Sequence, residues 1–417
     1  MRNRRLIVIG FAVIILLASW QLVSRSSNSQ PKQEPVIGDV PASKAKEYSF
    51  DLTEAVQLEF AEVAGNITVY TAPAGPVKAI VTKRSFGTDK ESAQREVASF
   101  SVEPQQKGQT ISFGMGSAAR PRRTVDYKIT TPPDASVKVK TGSGSITISG
   151  LKGTIDINGQ NVNVTLSDIR GPITIVNETG NLKIADTIGE TNIKSKTSSI
   201  QIDRLTAAAL AIATGANTVL KDSGSDGKAT FNIQNGDLTL TRFRAGSLTA
   251  DVPKGQLTIN ESGAQTMNLK TQAGRMNLFR VSADELHATT TTGGISMDQT
   301  QGAFDIKTQG TVDLTEARAT TLNVAAGSGN VTFYGALPTE GEHSIKTSSG
   351  NISVFVVKES AFRLDASTKG TFTLDPPFVL DSAENSAGRW RGVVNQGTIL
   401  LVLGSTSGNI LISSQQY

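Results

Sequence analysis

Chemistry on a protein needs groups that move protons, attack carbon or hold metal, and this chain of 417 residues is poor in them. It has no cysteine, which excludes a thiolate nucleophile, a thiolate metal site and a disulfide framework. Its two histidines, His287 and His343, stand in different repeat units with no ligand set beside them. A zinc site wants three or four ligands at defined spacing, so both read as surface or corner residues. Glycoside hydrolysis needs carboxylates converging on one bond. Asp156, Asp168, Asp186, Asp203 and Asp222 instead fall at different places in their units, mostly just after a strand, where Asp forms turns. Calcium-binding glycine-rich nonapeptides, a phosphate loop and a Ser-His-Asp arrangement are all missing. The expectation is a protein without catalytic residues, metal or cofactor.

One basic cluster stands out. Arg120, Arg122 and Arg123, with Lys83 and Arg84 near in the same region, could dock an anionic surface or be no more than a charged loop. The net charge of +4 gives no wider support for nucleic acid. Residues 1–47 hold seven basic and three acidic side chains, which leaves the body of the chain neutral. Outward Thr and Ser are mixed with Lys, Asp, Asn and Gln, so no flat ice- or glycan-binding Thr array stands out.

The elements that would position any site are repeats. From Val137 the chain reads VKVKTGSGSITI, IDINGQNVNVTL, ITIVNETGNLKI and NIKSKTSSIQI, each an alternating strand, a Gly/Ser/Thr/Asn turn and a second alternating strand. Units follow at 17 to 20 residues, with one longer insertion near residues 337–343. One unit cannot bury its own apolar pairs, whereas units stacked at a rise of about 4.8 Å make a continuous column. Roughly fourteen units would then form a rod on the order of 65 Å long. Gly at most corners suits tight bends, since it takes positive φ without steric cost.

Three arginines precede an uncharged run from Leu6 to Val23, which as a helix would reach roughly 27 Å, near the hydrocarbon thickness of a bilayer. Residues 1–23 therefore read as a transmembrane signal anchor with its N-terminus inside; a cleaved signal peptide is the competing reading, and either way the rest is exported. Residues 24–47 are polar and Pro/Ser-rich, a flexible linker. Residues 48–127, with one short helix over 89–100 whose Ala93, Val97 and Phe100 share a face, read as the N-terminal cap. The regular array spans 128–374, and 375–417 carries the C-terminal coils and cap. The expected fold is all-β, a parallel β-solenoid of about 18-residue two-strand units behind a transmembrane helix.

Three stretches, VDYKITTPPDASVKVKTGSGSITI (125–148), corners such as KTSSGNISV (346–354) and the terminal NQGTILLVLGSTSGNILIS, make residues 48–417 resemble the bacterial "putative adhesin" β-strand repeats, also called toastrack domains. That resemblance implies a right-handed β-helix-like stack, often behind a membrane anchor and sometimes beside cell-envelope stress systems, with no family-defining catalytic residue. It leaves open one rod or two abutting ones. The function expected is non-catalytic adhesion or scaffolding at a bacterial cell envelope, with the membrane and envelope proteins or glycans as partners. The alternatives are an envelope stress sensor acting through membrane partners and a carbohydrate-active enzyme.

Overall fold

The computed structural model describes residues 39–52, 56–73 and 75–415. The anchor expected over residues 1–23 lies outside them, and no helix among the described residues is long and apolar enough to cross a membrane. The fold is an all-β solenoid whose strands join one sheet. Among the described residues it has one α-helix, Lys90–Ala98, and one 3-10 turn, Gly116–Ala118.

The stack follows from period-two alternation. Val137 pairs with Ile155 and Ile155 with Ile173, in parallel register. Farther along, Leu210, Ala229, Leu248, Met267, Leu286, Phe304 and Leu322 form one inward column. A second runs through Leu238, Leu257, Met276, Ile295, Val312 and Val331. These side chains are buried and belong to one continuous cluster. Burying a Leu or Ile contributes about 1.5–3 kcal/mol, and slipping a strand by one residue would turn its whole inward set to water. A short third side pairs Gly224 with Arg244, Arg244 with Gly263 and Gly263 with Ser282. The pairing ladder is uninterrupted, so the chain forms one stack and not two.

At both ends spatial order departs from chain order. The strand Gln57–Thr71 lies beneath Ser136–Ser149, while Thr110–Gly114 and Thr124–Thr131 cover its other edge. Residues 57–71 are thus a full coil of the stack, within the segment expected to be only a cap. At the far end, Leu400–Ser405 and Ile410–Ser414 sit between Glu342–Thr347 with Ile352–Val356 on one side and Phe362–Ser367 with Phe372–Leu374 on the other. The last coil of the chain is therefore internal, and residues 362–374 form the final parallel layer beyond it. Each end then turns antiparallel. Thr124–Thr131 pairs with Val77–Gly87, which pairs with Val40–Phe50; Phe362–Ser367 pairs with Arg389–Val394, which pairs with Asp381–Ser386.

The strand Val40–Phe50 corrects the linker expected over residues 24–47, whose described part belongs to the sheet from Val40 on. As an edge strand it is mostly exposed and needs no apolar alternation, so its sequence resembles a spacer. Both outermost strands carry groups that discourage further pairing: Pro41, Lys44 and Lys46 on one, Asp381 and Glu384 on the other. The helix begins at an Asp89–Ser92 capping box and buries Ala93 and Val97 against the sheet, with Phe100 buried just beyond it. Inside the N-terminal end, Phe60 stacks on Phe113 at 4.7 Å and Tyr127 meets both rings edge-on.

Candidate functional site

The expected anion-binding cluster is largely neutralised from within. Arg123 is 7% exposed. Its guanidinium donates to Glu96 Oε1 and Ser99 Oγ and lies 4.5 Å over the Phe100 ring. It ties the helix to the turn before Thr124 and is unavailable to a partner surface. Arg122 pairs with Asp39 at 2.8 Å, and Arg84 pairs with Asp126 at 2.6 Å. Lys83 donates to the Phe100 carbonyl, and burial, with Lys44, Arg123 and Lys46 near, lowers its pKa. Arg120 is exposed. The cluster does not converge into a docking patch.

The carboxylates named from sequence resolve into a pattern that residue identity concealed. Asp168, Asp186, Arg204, Asp222, Arg242, Glu261, Arg280, Gln299 and Glu316 all adopt φ between +48° and +55°. They occupy one corner, immediately after the second strand of successive coils. From Asp222 to Gln299 the backbone N–H reaches the next coil, as Arg242 N does to Asn260 O and Glu261 N to Phe279 O. Their side chains form a ladder up the stack. Arg204 donates to both oxygens of Asp186, at 2.6 and 2.9 Å, and Arg242 clamps Asp222 in the same way. Arg280 bridges Glu261 and Gln299, and Gln299 donates to Glu316. The guanidinium bonds hold the carboxyls of Asp186 and Asp222 below the usual Asp range. From Asp186 to Glu316 these groups bond along the corner, whereas Asp168 pairs with Arg170. Asp156 and Asp203 do not belong to this corner.

The opposite corner is glycine. A Cβ on Gly255 would sit 1.9 Å from the Gly236 carbonyl oxygen, and on Gly274 1.6 Å from that of Gly255. A Cβ on Gly293, Gly310, Gly329, Gly350 or Gly408 would meet the carbonyl oxygen of the adjacent coil at 1.9 to 2.5 Å. None of these has positive φ, so close backbone approach, and not the bend, demands them. Buried hydroxyls complete the turns. Thr347 Oγ1 donates to Gly327 O and accepts from Gly350 N; Ser405 Oγ donates to Gly350 O and accepts from Gly408 N.

The two histidines part company. His287 faces outward, with Nδ1 3.4 Å from Asp305 and Nε2 4.0 Å from Glu285. Lys307 also reaches Asp305 and, with His287, holds its carboxyl low. His343 contradicts the surface reading. It is 1% exposed and fills the inward column between Leu322 and Leu401. Among the described residues no group of three His, Cys, Asp or Glu could hold a metal.

The outer surface offers shallow furrows. On the third side a pocket of about 770 Å³ lies among residues 282–284, 301–302, 318–320 and the loop 336–340. Arg318, Asp284 and Glu340 rim it, and Leu337 and Pro338 form one wall. A second, of about 390 Å³, lies across the same loop, against residues 357–361 and 396–399. The insertion near residues 337–343 was visible in the sequence; its role as a shared wall was not.

Residues 227–309 match the family Toastrack DUF4097, in the part of the stack where the two corners are most regular. No curated protein matches the chain. A structure described as a "putative cell adhesion protein" from Clostridium sporogenes ATCC 15579 is 8% identical, with 90% of this chain and 100% of that chain covered and a TM-score of 0.16. One described as a "putative adhesin" from Bacteroides fragilis NCTC 9343 is 13% identical, with 70% of this chain and 99% of that chain covered and a TM-score of 0.26.

Proposed function

We propose that this toastrack-type solenoid is a non-catalytic adhesion or scaffold module, exported and held at a bacterial cytoplasmic membrane by residues 6–23. The observation that supports it most is where the polar groups are spent. Hydroxyls, amides and charges of the corners bond between coils, which leaves the stack stiff and its sides open. With both terminal edges blunted by charge and proline, binding falls to the sides of the rod and is distributed along it. A rigid surface loses little entropy when it binds, which favours many weak contacts acting together.

Crosslinking of the tagged full chain in intact membranes, followed by recovery and identification, tests this. Capture of an envelope glycan or an external matrix protein is the expected result. Selective capture of a membrane regulator would replace adhesion with envelope stress sensing. Hydrolysis of an envelope polysaccharide by the purified protein would overturn the non-catalytic reading.

A further inference from the structure

Among the described residues one histidine, His343, stands in the inward column, and it sits beside the longer insertion near residues 337–343. Where the coils on either side place Leu322 and Leu401, this coil places His343 between them. The ring is bonded on both sides. Nε2 donates to the carbonyl oxygen of Glu340 at 2.9 Å, and Nδ1 accepts from the backbone N–H of Leu322 at 3.4 Å. This arrangement requires the neutral ring protonated on Nε2. Through Glu340 it holds the loop 337–341 against the stack, where the loop separates the pockets of about 770 and 390 Å³.

We propose that the loop 337–341 is an acid-released latch: protonation of His343 detaches it, and the two pockets on either side of it become one groove along the third side. The mechanism is a reversal of hydrogen-bond polarity. A second proton would have to sit on Nδ1, where it would face the Leu322 N–H, donor against donor, inside an apolar column. The charged groups around the ring offer incomplete relief. Glu340 and Glu342 on its own segment favour the charged form, the Glu340 backbone and Glu342 charge acting against burial, and burial prevails. The strand above, residues 400–403, is apolar, and residues 320–323 below carry no charge; Arg318 stands across the larger pocket. Burial thus lowers the ring's pKa from its ordinary 6.5. The sign follows: the latch is at full strength above about pH 6.5 and weakens as pH falls below it, since the detached ring takes up a proton that the latched ring refuses.

Amide hydrogen exchange on the full chain reads the latch directly. Between pH 7.5 and 5, after correction for intrinsic rates, protection at Leu322 and across residues 337–343 should fall by roughly tenfold for each pH unit that the latched ring resists protonation. Residues 210–252 should not change. The substitution His343→Gln should abolish the pH dependence, and His287→Gln should leave it intact. Independently of either variant, a ¹⁵N imidazole titration of the unsubstituted chain should place His343 below 6.5, with the loop signals moving at the same midpoint. Protection that does not vary with pH, loop signals that ignore the His343 midpoint, or loss of the effect in His287→Gln would each overturn the latch.

Discussion

Two corners flank the short strand Leu257–Asn260 and its counterparts above and below, and they meet the demands of stacking with opposite residues. Before the strand stands a glycine, as at Gly255, Gly274 and Gly293, with ordinary φ. After it stands a long polar residue, as at Glu261, Arg280 and Gln299, with left-handed φ. Intuition would exchange them, because glycine is the residue that takes positive φ freely. The exchange fails on distance. At the first corner consecutive backbones pass too close for any Cβ, whatever the dihedral. At the second the left-handed conformation costs a non-glycine residue about 1–2 kcal/mol, and the side chain it retains bonds to the coils above and below. Space decides the first corner, and inter-coil bonding decides the second.

Gly274→Ala should break the comparison most visibly. Its Cβ would meet the Gly255 carbonyl oxygen at 1.6 Å, and neither backbone can yield without shifting a coil. A loss of about 3 kcal/mol, the upper range for overpacking, is expected in urea unfolding. A change below about 0.5 kcal/mol, the scale of a neutral surface substitution, would mean that the column tolerates a Cβ. Next in size is Thr347→Val, which keeps the shape but removes the hydroxyl joining Gly327 O to Gly350 N. Gly327 O keeps the Ser348 N–H, but the Gly350 N–H loses its acceptor in a buried turn, which should destabilise by about 1–2 kcal/mol. Thr347→Ser should recover most of it.

The glycine corner was half legible in the sequence, and the left-handed corner hardly at all. Alternation such as Ile146/Ile148 and Leu238/Leu240 announces strands because burial selects every second residue, and the repeat announces a stack. Gly-rich turns mark where the chain bends; positive φ is the reason at Gly144, Gly150 and Gly180, and close backbone approach is the reason at Gly255, Gly274 and Gly293. The left-handed corner mixes Asp, Glu, Gln and Arg, whose shared property is a backbone dihedral that composition does not encode. Asp168, Asp186 and Asp222 looked scattered because their partners in the column, Arg204 and Arg242, are of another type. The interleaved ends were hidden for a different reason: which coil lies beside Leu400–Ser405 depends on contacts across 58 residues, and local pattern is silent on those. His343 lies in a strand whose alternation does turn it inward, with Ile345 and Thr347. Its polarity concealed that.

Gln299 sharpens the comparison with a difference that cancels everything except φ. Both Gln299→Ala and Gln299→Gly lose the same bonds to Arg280 and Glu316. Only the alanine keeps the left-handed penalty at φ 51°. The glycine variant gains from that relief and loses part of it to greater freedom in the unfolded chain. It should be the more stable by about 0.5–1 kcal/mol, the reverse of the order at Gly274. An alanine variant equal to or above the glycine one would show that the corner is not strained.

The charges of the ladder should give the smallest effect. Asp186 and Asp222 are held below their ordinary value of 3.8 by Arg204 and Arg242, so their contribution is present above about pH 4 and is lost as the pH falls through their folded values. Both are exposed, and solvent and salt screen exposed pairs strongly. Asp222→Asn should therefore lower the melting temperature only slightly at low ionic strength, with the difference fading by 1 M NaCl, where the screening length is near 3 Å. A deficit that survives high salt would assign the role of Asp222 to its hydrogen bonds alone. The ladder would then be a geometric clasp whose alternation of charge fixes which coil can sit on which, more than it stabilises any one of them.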